Sequence, residues 1–116
     1  MNKSLLYSIA LFVTLHILVW VSTNLQFVSK TWQSRSLIIA IFLAVPISLC
    51  GYWASRYGYS ALNDSAWSVR FIGFGTSYLV FPIMTWILLN ESMLTPKTLL
   101  CIGLSILIVC IQVFWN

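Results

Sequence analysis

Charge is what this chain has least of. Lys, Arg, Asp and Glu together make up 7% of its 116 residues, against about 25% in an ordinary soluble domain. So few charges cannot solvate a globular surface, which excludes a soluble enzyme. They equally exclude a disordered segment, which needs low hydrophobicity and high charge. Acids are scarcest: Asp64 and Glu91 are the only carboxylates. With a single histidine beside them, a histidine-based metal cluster has no ligand set. No glycine-rich phosphate loop occurs either. No catalytic residue, metal or cofactor is expected, and the chain does not read as an enzyme. Its three cysteines, Cys50, Cys101 and Cys110, fall inside apolar stretches and read as small apolar residues rather than disulfide partners.

What is present is apolar. Hydrophobic residues make up 60% of the chain, and the mean hydropathy is +0.95. A helix needs roughly 20 apolar residues to cross the hydrocarbon core. Four stretches meet that length, and none alternates as a barrel strand would. They predict an all-α membrane protein, a four-transmembrane-helix bundle in one domain over 1–116. The expected helices cover about 5–28, 37–54, 66–89 and 98–115. The first has no small-residue cleavage site after it and reads as a retained helix, not a signal peptide.

Polar breaks at 30–36, 56–65 and 90–97 separate the spans, leaving no room for an extramembrane domain. Asn63 or Asp64 would cap the third helix. Thr95-Pro96 reads as an N-cap followed by proline at the first position of the fourth. Tyr7, Trp32, Trp53, Tyr57, Tyr59, Trp67 and Trp115 lie near helix ends, where an aromatic belt would sit at the headgroups.

The net charge of +4 is scattered over separate loops, so it forms no nucleic-acid footprint. Lys3, Arg56 and Arg70 fall on one side of the membrane, and Lys30, Arg35 and Lys97 on the other. This balance is compatible with copies inserting both ways and pairing antiparallel. It is equally compatible with one orientation fixed by other factors.

Polar groups within spans are costly and point to function. His16 lies near the centre of the first helix, on a face with Ser8, Trp20, Thr23 and Gln26. It is open to two readings: a proton or anion handler, or a neutral ring bonded to a neighbouring helix. Arg70, one turn into the third helix, either snorkels to the interface or faces a pocket on the side of Gly73 and Ser77. The pairs Gly51/Ser55 and Gly73/Ser77 have small-xxx-small spacing, which suits close helix packing. On the fourth helix Thr98, Cys101, Ser105 and Gln112 share one side, and Gly103 and Cys110 another. Pro46 and Pro82 fall inside the second and third helices and are expected to kink them.

A resemblance enters with the second half. Phe81-Pro82, Leu88-Leu89-Asn90-Glu91, Leu94-Thr95 and the run Gly103-Leu104-Ser105-Ile106-Leu107-Ile108 are similar to the drug/metabolite transporter superfamily. Arg56-Tyr57-Gly58-Tyr59 resembles its small four-helix members, including a transporter family of unknown function. The resemblance covers about residues 46–115. It implies a four-helix protomer and, in the small-multidrug-resistance branch, an antiparallel homodimer working by alternating access. There, helices one to three line the pathway and the fourth dimerises. The proton-coupled members carry a Glu in the first helix, whereas this chain has His16 in that region and no carboxylate. Exchange of cationic drugs for protons therefore does not follow; the expectation is a neutral or anionic substrate, or a different coupling.

The leading expectation is a small-molecule transporter, integral to a bacterial cytoplasmic membrane, with His16, Trp20, Arg70 and Ser77 lining its pathway. Gly51, Ser55, Gly73 and Gly103 are the expected packing positions. The alternatives are an accessory subunit of a larger membrane complex and a lipid-handling or flippase component.

Overall fold

The computed structural model describes residues 2–115. Four helices account for most of them: α1 (Lys3–Asn24), α2 (Lys30–Ala61), α3 (Ala66–Leu89) and α4 (Pro96–Phe114). A short 3-10 turn, Leu25–Phe27, follows α1. No strand occurs among the described residues. Each helix is long and apolar enough to cross a membrane, and the chain is an all-α, membrane-spanning four-helix protein.

The helix starts follow local chemistry. Asn2, Ser29, Ser65 and Thr95 are the N-caps, and each side chain accepts from a backbone N–H of the first turn. Thr95-Pro96 behaves as its sequence implies, with proline opening α4. The α2–α3 junction differs from expectation. Asn63 and Asp64 both take left-handed backbone, at φ 56° and 55°, which short polar side chains tolerate. They turn the chain, and the cap falls to Ser65, which accepts from Ser68 N at 3.1 Å. Asn90 ends α3 in the same left-handed conformation, at φ 54°.

The largest correction concerns α2. Residues 30–36 and 56–61, expected as breaks, are helical. Their polar residues are compatible with helix once the segment has left the hydrocarbon. At 1.5 Å per residue α2 is about 48 Å long, well beyond a core about 30 Å thick. Pro46 and Pro82 lie inside α2 and α3. Each removes an N–H, leaving the carbonyls of Phe42 and Tyr78 without their helical donors.

α1 packs along both α2 and α3, and α4 packs against α3. The chain measures 48 × 36 × 19 Å, and its radius of gyration is 15.5 Å, against about 13 Å for a compact domain of this length. A flat array with α4 at one edge accounts for the excess. The buried core is small: Phe12, Ala54 and Val69, with Leu11, Leu62 and Ile72 packed on it. Large apolar side chains such as Leu37, Phe42, Leu79, Ile87 and Leu100 point outward, as lipid-facing residues do.

In lipid no hydrophobic force drives helices together, so packing and interhelical hydrogen bonds carry more of the association. α1 makes three such bonds over about 18 Å of its length. Ser8 Oγ donates to Ala54 O at 2.7 Å. His16 Nε2 meets Gly73 O at 2.8 Å. Trp20 Nε1 donates to Thr85 Oγ1 at 2.9 Å. Ser8 lies about 80° around the helix from His16, and Trp20 about 40° the other way. One stripe thus reaches α2 at one end and α3 further along.

Glycines mark the closest approaches. A Cβ at Gly73 would stand 2.9 Å from the Phe12 ring, and one at Gly51 3.3 Å from Leu15. Two further close-packed positions were not expected. A Cβ at Gly58 would meet Ser8 Oγ at 2.7 Å, and one at Gly75 would meet Val109 at 2.9 Å. Gly103 has nothing within 4 Å of its notional Cβ, so it is no packing position within the chain. Ser55 is exposed and opens on a cavity instead of wedging between helices.

Candidate functional site

α1, α2 and α3 line an open cavity of about 980 Å³, at the upper end of the roughly 300–1,000 Å³ of small-molecule sites. Each helix contributes one stripe. α1 gives Phe12, Leu15 and His16. α2 gives Gly51, Tyr52, Ser55, Arg56 and Tyr59, spaced to fall on one helical face. α3 gives Ala66, Val69, Arg70, Gly73, Phe74 and Ser77 at the same periodicity.

The helix directions order these residues by depth. Ser8 meets Ala54 and Leu15 meets Gly51, so α1 and α2 run antiparallel. Phe12 meets Gly73 and Trp20 meets Thr85, so α1 and α3 run parallel. Arg56, Tyr59, Ala66 and Arg70 therefore lie toward the end where α1 begins. His16, Gly51, Gly73 and Ser77 lie about midway along the bundle. From Arg70 to Ser77 the cavity follows α3 for about 10 Å.

His16 is half-buried at the inner end. A carbonyl can only accept, so Nε2 carries the proton shared with Gly73 O, and in the neutral ring Nδ1 is an acceptor. Thr76 Oγ1 donates to the same carbonyl at 2.8 Å. Phe12 stacks against the imidazole, with centroids 6.4 Å apart and planes at 18°. Ser77 Oγ donates to Phe74 O at 2.6 Å. Both polar groups at the inner end thus direct a proton to backbone carbonyls of α3.

The outer end is cationic. Arg56 and Arg70 are both exposed and both line the cavity. The Arg56 guanidinium lies over the Trp53 ring, 5.4 Å from its centroid, within cation–π range. No carboxylate is among the lining residues. Trp53 also packs with Tyr52 and Tyr57, at 5.2 and 6.2 Å between centroids. Along α3 a second aromatic series, Trp67, Phe71, Phe74 and Tyr78, runs ring to ring at 5.3–6.4 Å.

Of the four residues expected to line a pathway, the structure brings His16, Arg70 and Ser77 to one cavity. Trp20 stands outside it. Trp20 is 2% exposed, its indole N–H is held by Thr85, and it joins α1 to α3. Arg56, Tyr52 and Tyr59 were missed as cavity residues. Their signal is the i, i+3, i+4, i+7 spacing of 52, 55, 56 and 59, visible once the second helix is carried past residue 54. No group of His, Cys, Asp and Glu suited to a metal occurs among the described residues.

Comparison with protein-family models, with curated proteins and with solved structures finds no match to this chain.

Proposed function

We propose that the chain is a small membrane transporter of the drug/metabolite type, moving a small molecule through the α1–α2–α3 cavity as a homodimer in a bacterial cytoplasmic membrane. The observation that carries the reading is the cavity itself. In a chain with 7% charged residues, one concavity gathers the only histidine and two of the six basic residues. His16 has a packing role in its bond to Gly73 O, whereas Arg56 and Arg70, both exposed and both lining the cavity, are the part of this collection that favours a ligand. Substrate would be contacted by Arg70 and Ser77, with His16 at the inner end bridging α1 to α3. Movement of α1 against α3 would break and remake the His16–Gly73 bond, which is weak enough to exchange at about 0.6 kcal/mol for an average interhelical hydrogen bond in a membrane.

The test is flux from proteoliposomes loaded with anionic, neutral and cationic small molecules, read by mass spectrometry. Wild-type protein should release members of one class faster than empty liposomes, and Arg70→Gln should abolish that release. Absence of flux in every class would sink the reading.

A second reading has its own observation. α4 packs at the edge of α3 and leaves Leu104, Leu107 and Phe114 exposed, a face for either lipid or the partner of an accessory subunit. Native mass of the gently solubilised protein separates the two: a homodimer fits the transporter, and a stable larger hetero-complex fits the subunit.

A further inference from the structure

We propose that the cavity binds an amphiphilic oxyanion, a phosphate or carboxylate head held by Arg56 and Arg70 with an apolar body lying inward against Phe12, Leu15 and Phe74. The inference names the ligand class for the cavity of the transport reading and rests on that reading only in sharing its site.

The head group follows from charge. Two guanidinium side chains line the outer end, and the lining holds no carboxylate. Neither of the chain's two acids is a lining residue: Asp64 sits in the α2–α3 turn, at the same end of the bundle as the arginines, and Glu91 lies beyond the far end of α3. A cationic ligand would meet two like charges and no counter-charge among the lining residues. The planar guanidinium fork matches the oxygens of phosphate and carboxylate, and such charge-assisted bonds are about twice as strong as neutral ones.

The apolar body follows from the inner end. His16 Nε2 and Ser77 Oγ already direct their protons to Gly73 O and Phe74 O. No uncommitted N–H or O–H of these two side chains remains for a second polar head. Near them stand Phe12, Leu15 and Phe74. A ligand that places its charge at the mouth therefore extends about 10 Å inward against hydrocarbon and aromatic surface.

Such an anion is either a soluble metabolite or the headgroup of a lipid entering from the bilayer. The full chain, purified in a neutral maltoside detergent, is titrated by calorimetry with hexyl phosphate, inorganic phosphate, hexanol and hexyltrimethylammonium. In parallel it is titrated with phosphatidic acid in otherwise neutral nanodiscs. Hexyl phosphate should bind at least about tenfold more tightly than hexanol or the ammonium compound, and Arg56→Gln and Arg70→Gln should each weaken it about tenfold or more. Both arginines are exposed, and helical circular dichroism equal to that of the wild type checks that the variants fold. Phe74→Ala should weaken hexyl phosphate and leave inorganic phosphate unchanged. Binding of hexyl phosphate identifies a soluble anion. Binding of phosphatidic acid alone, lost in the arginine variants, identifies a lipid. Equal or tighter binding of the cation or the alcohol overturns the proposal, as do arginine variants with unchanged affinity, or no binding of either anion. Because binding is read without transport, a bound anion with no flux defeats the transport reading alone. Flux of a cation through the cavity defeats the anion proposal alone.

Discussion

His16 of α1 and Gly73 of α3 are joined directly, imidazole Nε2 to carbonyl O at 2.8 Å. Glycine at 73 leaves room for the contact. A Cβ there would come within 2.9 Å of the Phe12 ring, the ring that stacks on the imidazole. A single position on α3 thus lets the two helices close and supplies the acceptor.

The first prediction concerns the proton. Since the carbonyl accepts only, the neutral ring must be the Nε2–H tautomer. Nitrogen NMR of ¹⁵N-histidine-labelled protein, with one histidine to observe, should show it directly. A neutral Nδ1–H tautomer would mean that the His16–Gly73 bond is absent. His16→Leu removes the donor and should cost about 1 kcal/mol. His16→Gln keeps an N–H on a flexible side chain and should cost less. Reversible unfolding in mixed micelles ranks the three proteins.

How much was readable beforehand depended on what each residue answers to. The spans followed from run length alone, because the hydrocarbon thickness sets it; 66–89 matches α3 at both ends. Thr95-Pro96 was legible because cap chemistry is local. The ends of α2 were not, since Arg56 and Gly58 read as punctuation when the partner helix is unseen. In the structure Gly58 is buried and admits Ser8, and Arg56 lies over Trp53. His16, Arg70 and Ser77 stood out because polar groups in a span are costly, and all three line the cavity. Trp20 was misplaced because an indole gives the same signal whether its N–H meets a ligand or, as here, Thr85 on the next helix.

The second prediction sets two glycines against each other. Gly58→Ala puts a methyl 2.7 Å from Ser8 Oγ and 3.3 Å from Val69, and Ser8 is held by its bond to Ala54 O. Overpacking of this kind costs about 1–3 kcal/mol. Gly103→Ala enters open space within the protomer and, by helix propensity, should be neutral or stabilising by up to about 1 kcal/mol when the unfolding is measured on single chains. Adding Ser8→Ala to Gly58→Ala should recover part of the loss, because the colliding oxygen is gone. Equal stabilities for the two alanine variants would contradict the close approach of α1 and α2.

The third prediction isolates the Trp20–Thr85 bond. Trp20→Phe, Thr85→Val and the double variant form a cycle whose coupling energy should lie near 0.6 kcal/mol and not above about 1.7 kcal/mol, the span measured for hydrogen bonds between membrane helices. The single Trp20→Phe loss should be larger than the coupling, because the indole is almost fully buried and its volume is only partly replaced. If Trp20 instead acted on a ligand, Trp20→Phe would reduce binding at the cavity more than Phe74→Ala does. Its position outside the lining predicts the reverse order.

The last prediction concerns the free face of α4. Ser105 is its buried residue, and Val109 meets Gly75 of α3. Gly103 lies about 200° of helical turn from Ser105, on the opposite side, with nothing within 4 Å. In lipid a small residue on an open face is useful chiefly for bringing another backbone close. In the homodimer proposed above, that backbone belongs to a second copy. Native mass spectrometry should then find two 13.2 kDa chains together. Gly103→Trp should yield single chains with unchanged helical circular dichroism, since the indole has room within the protomer but none between two closely packed copies. A dimer that survives Gly103→Trp would move the interface to another surface. Single chains already in the wild type would remove the homodimer itself, leaving the face to lipid.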